Sequence, residues 1–191
     1  MSNTNDIKLI KLIKAGDVGS YAQLIDKYQH MAFTLANSIV KNKEEAEEVT
    51  QDAFYKAYKA LDKFKGDAEY STWLYRIVYN AAISKLRSRK GETTSLESQE
   101  VNRQSAFNFS DNLNRLEQQE RKVFLKKALK KLKEDDAFVI ILYYYKEQSI
   151  EEIAQTTGLS KSNVKIKLHR GRKQLQTELE QLLREELKSF I

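Results

Sequence analysis

Residues 160–172 read Ser-Lys-Ser-Asn-Val-Lys-Ile-Lys-Leu-His-Arg-Gly-Arg, and their spacing sets what they can do. On a helix, Val164 and Leu168 share one face. Lys161, Ser162, Asn163, Lys165, Lys167, His169, Arg170 and Arg172 then point away from it. Short polar side chains near a helix N-terminus can reach base edges in a major groove, while Lys and Arg bind phosphates. Ser160 stands where a hydroxyl can cap the free amides of the first turn. Just upstream, Ile150, Ile153 and Ala154 give a short helix an apolar face, and Leu159 reads as a buried hinge. Gly158 can take the positive φ that a sharp turn requires. Turn glycine, cap, core positions and basic face coincide, so a helix-turn-helix that reads duplex DNA is expected. An ordinary helical hairpin with a basic face is the plainer alternative.

Helices must position these residues. The chain of 191 residues has no proline and six glycines, and alternating β-branched runs bounded by turns are absent. Hydrophobic residues make up 41%, enough for a packed core, and charged residues 31%, which suits amphipathic helices with solvated faces. The fold class expected is all-α. Tyr21, Leu24, Ile25, Tyr28, Met31, Ala32, Leu35 and Ile39 recur at helical steps, and Ala46, Val49, Ala53, Phe54, Ala57 and Leu61 repeat the pattern after Lys41-Asn42. Opposite that second stripe lie Glu44, Glu45, Glu48, Gln51 and Asp52; taken alone, such a run is a solvated face. A polar loop over 65–69 precedes a helix opening at Ser71 as its cap, running through Trp73, Leu74, Ile77, Val78 and Ala81 into Lys85-Leu86-Arg87-Ser88-Arg89-Lys90. Trp73 reads as core.

Charge and composition divide the chain in three. Residues 1–90 carry a net +4, residues 91–120 a net −4 and residues 121–191 a net +6. Two basic blocks flank an acidic spacer, a distribution that fits either solvated helix faces or a polyanion partner. The stretch 91–112 is rich in Ser, Thr, Asn, Gln and Glu, and reads as a flexible linker. The division expected is therefore a helical domain over 1–90, a linker over 91–112 and a four-helix domain over 113–191.

Three motifs in order carry a family resemblance. They are Glu45-Ala46-Glu47-Glu48-Val49-Thr50-Gln51-Asp52-Ala53-Phe54, then Tyr70-Ser71-Thr72-Trp73-Leu74-Tyr75-Arg76-Ile77-Val78-Tyr79-Asn80 with Arg87, then Asn163-Val164-Lys165-Ile166-Lys167-Leu168-His169-Arg170-Gly171-Arg172. Over residues from about 18 to 185, this set resembles the extracytoplasmic-function group of the sigma-seventy family, whose sigma region two and sigma region four are joined by a variable linker. The resemblance implies an alternative sigma factor whose partners are core RNA polymerase, promoter DNA and an anti-sigma factor. It implies polymerase docking through Glu45, Glu48, Gln51 and Asp52, an acidic and amide face that would steer a basic partner helix. For the minus-ten element it implies Lys65, Asp67, Tyr70, Arg76, Asn80, Lys85, Arg87, Arg89 and Lys90. A loop pocket from Phe64 to Ser71 would repay the extrusion of one base, which costs on the order of a few kcal/mol, while the cations hold the single strand. For the duplex minus-thirty-five element it implies Ser160, Lys161, Ser162, Asn163, Lys165, Lys167, His169, Arg170 and Arg172. The chain departs from the family at Ser84, where Asp is common, and in the third motif, where Asn163, Ile166 and Gly171 replace Thr, Ser and Ala. A mid-helix glycine costs up to about 1 kcal/mol relative to alanine.

Other readings stay open at this point. A free-standing helix-turn-helix regulator would need a ligand or dimerisation site in the first half, and an adaptor made of amphipathic helices would leave the basic helix unexplained. An enzyme is least favoured: His30 and His169 are isolated, there is no cysteine, and no paired-carboxylate or glycine-rich phosphate motif is present. No metal, cofactor or small-molecule substrate is expected. The first residues do not read as a signal peptide and no apolar run has the length of a membrane span, so a cytoplasmic location is expected. Tyr143-Tyr144-Tyr145 reads as packing at a helix end.

Overall fold

A computed structural model describes residues 4–92 and 118–189 of the protein. Among them the regular structure is helical. Residues 93–117, which hold most of the expected linker and the expected start of the second domain, lie outside the described residues. The fourth helix runs to Glu92, two residues into the stretch read as linker.

The first half consists of α1 (Thr4–Lys14), α2 (Gly19–Val40), α3 (Lys43–Lys59), a 3-10 turn (Leu61–Lys63) and α4 (Tyr70–Glu92). Leu24, Leu35 and Ile39 of α2 and Leu74 and Val78 of α4 are fully buried, as the helical spacing predicts. On α3 half of the buried stripe is alanine (Ala46, Ala53, Ala57), which lets three helices pack closely. Lys41 stops α2 in the left-handed conformation at φ 58°, and the Asn42 side chain caps α3 by accepting from the Glu45 N–H at 2.8 Å. α4 starts one residue before its expected cap. Ser71 lies inside the first turn, where its hydroxyl faces Glu69 at 3.3 Å, and the Glu69 carbonyl accepts from the Trp73 N–H.

The second half consists of α5 (Gln118–Lys131), α6 (Glu134–Tyr145), α7 (Ile150–Thr157) and α8 (Lys161–Ser189). α7 opens on a capping box between Ser149 and Glu152. It ends at Gly158, whose φ of 75° supplies the turn. Leu159 is half-buried, a looser hinge than expected.

From Ala137 to Leu142, α6 is buried on all sides. A helix that is apolar all round must be covered all round, and α6 lies between α8 on one side and α2 on the other. The two halves therefore pack together, α6 on α2 and α7 on α4. The rings of Tyr79 and Phe138 meet at 4.9 Å, and the Tyr79 hydroxyl donates to Asp135 at 3.0 Å. Lys41 donates to the carbonyl of Leu132 at 2.7 Å, and Gln148 reaches Thr72 at 3.4 Å.

Candidate polymerase and nucleic-acid interfaces

On α3, Glu48, Gln51 and Asp52 are exposed and Glu45 is half-buried. Three of the four hold cations of the same half. Lys85 pairs with Glu48 at 2.7 Å, Arg89 with Glu45 at 3.0 Å, and Lys56 with Asp52 at 2.6 Å. Arg89 also donates to the carbonyl of Val40. Lys85 and Arg89, expected on the single strand, thus spend charge bracing α4 against α3. Exposed ion pairs contribute about 0–1 kcal/mol, so a polyanion or a basic helix can exchange them at little cost.

Beside this acidic face, α2 and α3 form an apolar groove of about 470 Å³ that includes Val18, Ile25, Phe54, Tyr55 and Tyr58. Val18 and Tyr55 are 59% and 62% exposed. Sequence reasoning missed this groove because it followed the buried stripe alone. The available signal was Tyr55, an aromatic side chain one step off the Ala53-Phe54-Ala57 stripe.

Around the loop before α4, Lys65 and Asp67 are exposed and Gly66 has φ 84°. Tyr70 is buried at 3% exposure and stacks in a cluster with Phe64 and Trp73, ring centres 5.3–5.8 Å apart. It is a wall of the loop's base and presents little surface to a strand. Trp73 is half-buried in that cluster, as its place on the apolar face implies. Burial pushes the phenols of Tyr28, Tyr70 and Tyr75 well above the ordinary tyrosine range, and that of Tyr21 up to about 12. Under the loop lies a cleft of only about 20 Å³, lined by Asp6, Ile7 and Ile10 of α1 with Phe64, Gly66, Ala68 and Tyr70. A base does not fit it as it stands, so capture of one requires the glycine-containing loop to move. α1, which lies ahead of the resemblance, fastens this loop. Lys14 donates to the carbonyls of Asp62 and Phe64 at 3.3 and 3.0 Å, and Asp6 accepts from Lys27 and Tyr28. Arg76, Asn80, Ser84 and Arg87 form one exposed face along α4. The Lys90 side chain lies outside the described residues.

On α8 the nine expected residues separate into two groups. Lys161, Ser162, Asn163, Lys165, His169 and Arg172 are exposed. Lys161 is paired across the turn with Glu151 at 2.7 Å, and Arg172 is within 3.4 Å of the Tyr144 hydroxyl. That lysine holds the Glu151 carboxyl below its ordinary range. Of the remaining three, Ser160 is also exposed but its hydroxyl is used within the helix, while Lys167 and Arg170 are half-buried against α6. The Ser160 hydroxyl caps α8 by accepting from the Asn163 N–H at 3.2 Å. Lys167 donates to Asp135 at 2.9 Å. Arg170 forms a two-point pair with Asp136, at 2.5 and 2.7 Å, and that carboxylate has no exposed surface. Gly171 is required where it stands: a Cβ there would meet Cγ1 of Ile140 at 2.9 Å. Its cost as a helix residue is the condition for α8 to cross α6 this closely.

Residues 24–92 match Sigma-70 region 2, and residues 125–175 match Sigma-70, region 4. The ECF RNA polymerase sigma factor SigW of Bacillus subtilis is 30% identical over 182 residues, covering 92% of this chain and 97% of that protein. The chain belongs to the ECF sigma factors of the sigma-70 family. The RNA polymerase sigma-H factor of Pseudomonas aeruginosa is 29% identical, over 97% of this chain and 99% of that protein. A solved structure of the sigma factor RpoE of Bartonella quintana, in complex with the anti-sigma factor NepR, aligns with a TM-score of 0.64 at 26% identity. It covers 85% of this chain and 98% of that one. For an ECF sigma factor the first half needs no ligand pocket or dimer interface, and the free-standing regulator falls away. Sigma factors are initiation factors and not enzymes. Among the described residues no helix is long and apolar enough to cross a membrane.

Proposed function

We propose that this ECF sigma factor binds core RNA polymerase through the acidic face of α3 together with the apolar groove beside it. In this reading a partner helix lays apolar residues into the groove near Tyr55 and Tyr58, while its cations replace Lys85 and Lys56 on Glu48 and Asp52. α8 enters the major groove of the minus-thirty-five duplex, and the exposed face of α4 (Arg76, Asn80, Arg87) follows the single strand of the minus-ten element. The loop over 64–69 opens to take one extruded base. No side chain is assigned a catalytic role, because bond formation belongs to the polymerase. The reading includes an anti-sigma partner of the kind captured with the RpoE neighbour, a division near residues 90 and 113, and action in the cytoplasm, where the polymerase is.

One observation carries the reading. Val164 and Leu168 are sealed inside the second half, while Lys161, Ser162, Asn163, Lys165 and His169 all stand outside it. That is the arrangement a recognition helix requires. The test is association of the full chain with core polymerase, followed by transcription from a promoter library. Glu48→Lys with Asp52→Lys is expected to weaken association at least tenfold, since like charges across an interface cost several kcal/mol. Adding Lys85→Glu restores the internal ion pair and is expected to leave association weak. Full recovery in that triple variant, or undiminished binding by the double one, would refute polymerase docking at this face.

A further inference from the structure

We infer that Ile166 is a base-reading residue, which packs on the C5-methyl of a thymine in the minus-thirty-five duplex. The inference rests on the proposed placement of α8 in a major groove.

Ile166 leaves 59% of its surface exposed. It sits roughly 160° around the helix from Val164 and from Leu168, the two residues that hold this part of α8 to the core with 0% and 3% exposure. It therefore lies at the centre of the outward face. One turn before it stand Ser162 and Asn163, and one turn after it His169, all exposed. Lys161, Lys165 and Arg172, also exposed, lie along one side of this strip, and Lys173 continues it two turns on.

An apolar side chain flanked by cations narrows the choice of occupant. The cations favour a polyanion, and the apolar feature that a duplex presents in its major groove is the thymine methyl. A branched side chain on a helix is nearly fixed in rotamer, so little freedom is lost when it is pressed against a base. Folding has no use for this isoleucine, since it makes no part of the core. Serine, which the family pattern carries here, could only donate or accept a hydrogen bond; isoleucine exchanges that for a contact that recognises one base by its methyl group.

The experiment uses the full chain on core polymerase. A minus-thirty-five duplex is first selected from a randomised pool. Each thymine of the selected sequence is then replaced singly by deoxyuridine, which keeps base pairing and removes only the methyl. One replacement is expected to weaken binding about fourfold, the worth of one buried carbon. The same replacement should have no effect on Ile166→Ser, and its effect should persist in Ile166→Val. Ile166→Ser should melt with the parent, because the side chain is exposed. If deoxyuridine is neutral at every position, or weakens Ile166→Ser as much as the parent, the inference is wrong while duplex reading stands. If selection returns no preferred upstream sequence, the placement of α8 in a groove fails and the inference with it.

Discussion

Arg170 gives the sharpest test of how the recognition helix divides its cations between folding and DNA. Its guanidinium meets both oxygens of Asp136, a carboxylate with no exposed surface in the first turn of α6. Arg170→Gln would leave that charge buried, with Lys167 4.0 Å away as the nearest ion-pair partner. Breaking a buried pair from one side costs about 3–5 kcal/mol. The arginine side chain is 42% exposed, so water screens part of the interaction and about 2–3 kcal/mol is the appropriate figure. In a domain the size of the second half each kcal/mol moves the midpoint about 4–8 °C, which sets the expected fall at about 8–24 °C. Thermal melts of the full chain by far-ultraviolet circular dichroism would show it. Arg170→Gln with Asp136→Asn should regain most of the loss, because no charge is then stranded. Lys165→Gln, at an exposed position, should melt like the parent and reduce the slope of log affinity against log salt by about 0.9 on promoter duplex. If Arg170→Gln melts normally and takes the salt slope instead, Arg170 is a phosphate contact and the division drawn from the structure is wrong.

Further outcomes follow from the same geometry. Gly171→Ala improves helix propensity by about 1 kcal/mol but drives a Cβ into Ile140, where overpacking costs about 1–3 kcal/mol. A net loss of about 1 kcal/mol is expected in urea unfolding, turning to a gain in an Ile140→Ala background; a gain in the parent background would refute the close crossing. Burial raises the phenol of Tyr21 to about 12 and those of Tyr28, Tyr70 and Tyr75 beyond it. In the unfolded chain they ionise near pH 10. Their contribution is therefore intact below about pH 10 and lost as pH rises toward 12 and above. In an alkaline titration part of the tyrosine absorbance should rise only together with loss of helix, above about pH 10, and complete ionisation near pH 10 in a still-folded chain would count against this cluster as the cause. The chain has no cysteine, so one introduced cysteine in each half allows clean dye labelling. Transfer efficiency should be high in the free protein and fall on binding core polymerase, whereas an unchanged value would mean that the packing of α6 on α2 survives in the complex.

The helical class, the core stripes and the helix-turn-helix were legible in the sequence because each rests on local periodicity or on a single residue with one conformational use. Gly158 at φ 75° is the plain case. Residues whose partners are distant in sequence were not legible. Lys167 and Arg170 look like free cations until Asp135 and Asp136, more than thirty positions away, are folded beneath them. Tyr70 belongs to the motif read as nucleic-acid binding, yet the rings of Phe64, Trp73 and Tyr28 enclose it. Gly171 was read as a defect by propensity, a local quantity, while its reason is a contact with α6. In α6 the periodicity itself was uninformative, since a run that is apolar on every side does not reveal which neighbours cover it.

Those neighbours give Asp135 and Asp136 a joint role that neither half explains alone. The adjacent acids open α6, where their charge also favours the helix N-terminus. Asp136 ties α8 to α6 through Arg170. Asp135 takes Lys167 from α8 and the Tyr79 hydroxyl from α4, so one carboxylate touches both the recognition helix and the helix proposed to follow the minus-ten strand. A phosphate that drew Lys167 away would leave Asp135 held by Tyr79 alone, and separation of the halves would leave it held by Lys167 alone. Each event removes one partner of the same acid, so binding at α8 and opening of the halves are expected to be coupled through it. Asp135→Asn keeps the shape, weakens both contacts and should reduce that coupling. In the dye-labelled protein, upstream duplex added without polymerase should change the transfer efficiency of the parent more than that of Asp135→Asn; equal responses would mean that the two halves answer DNA independently.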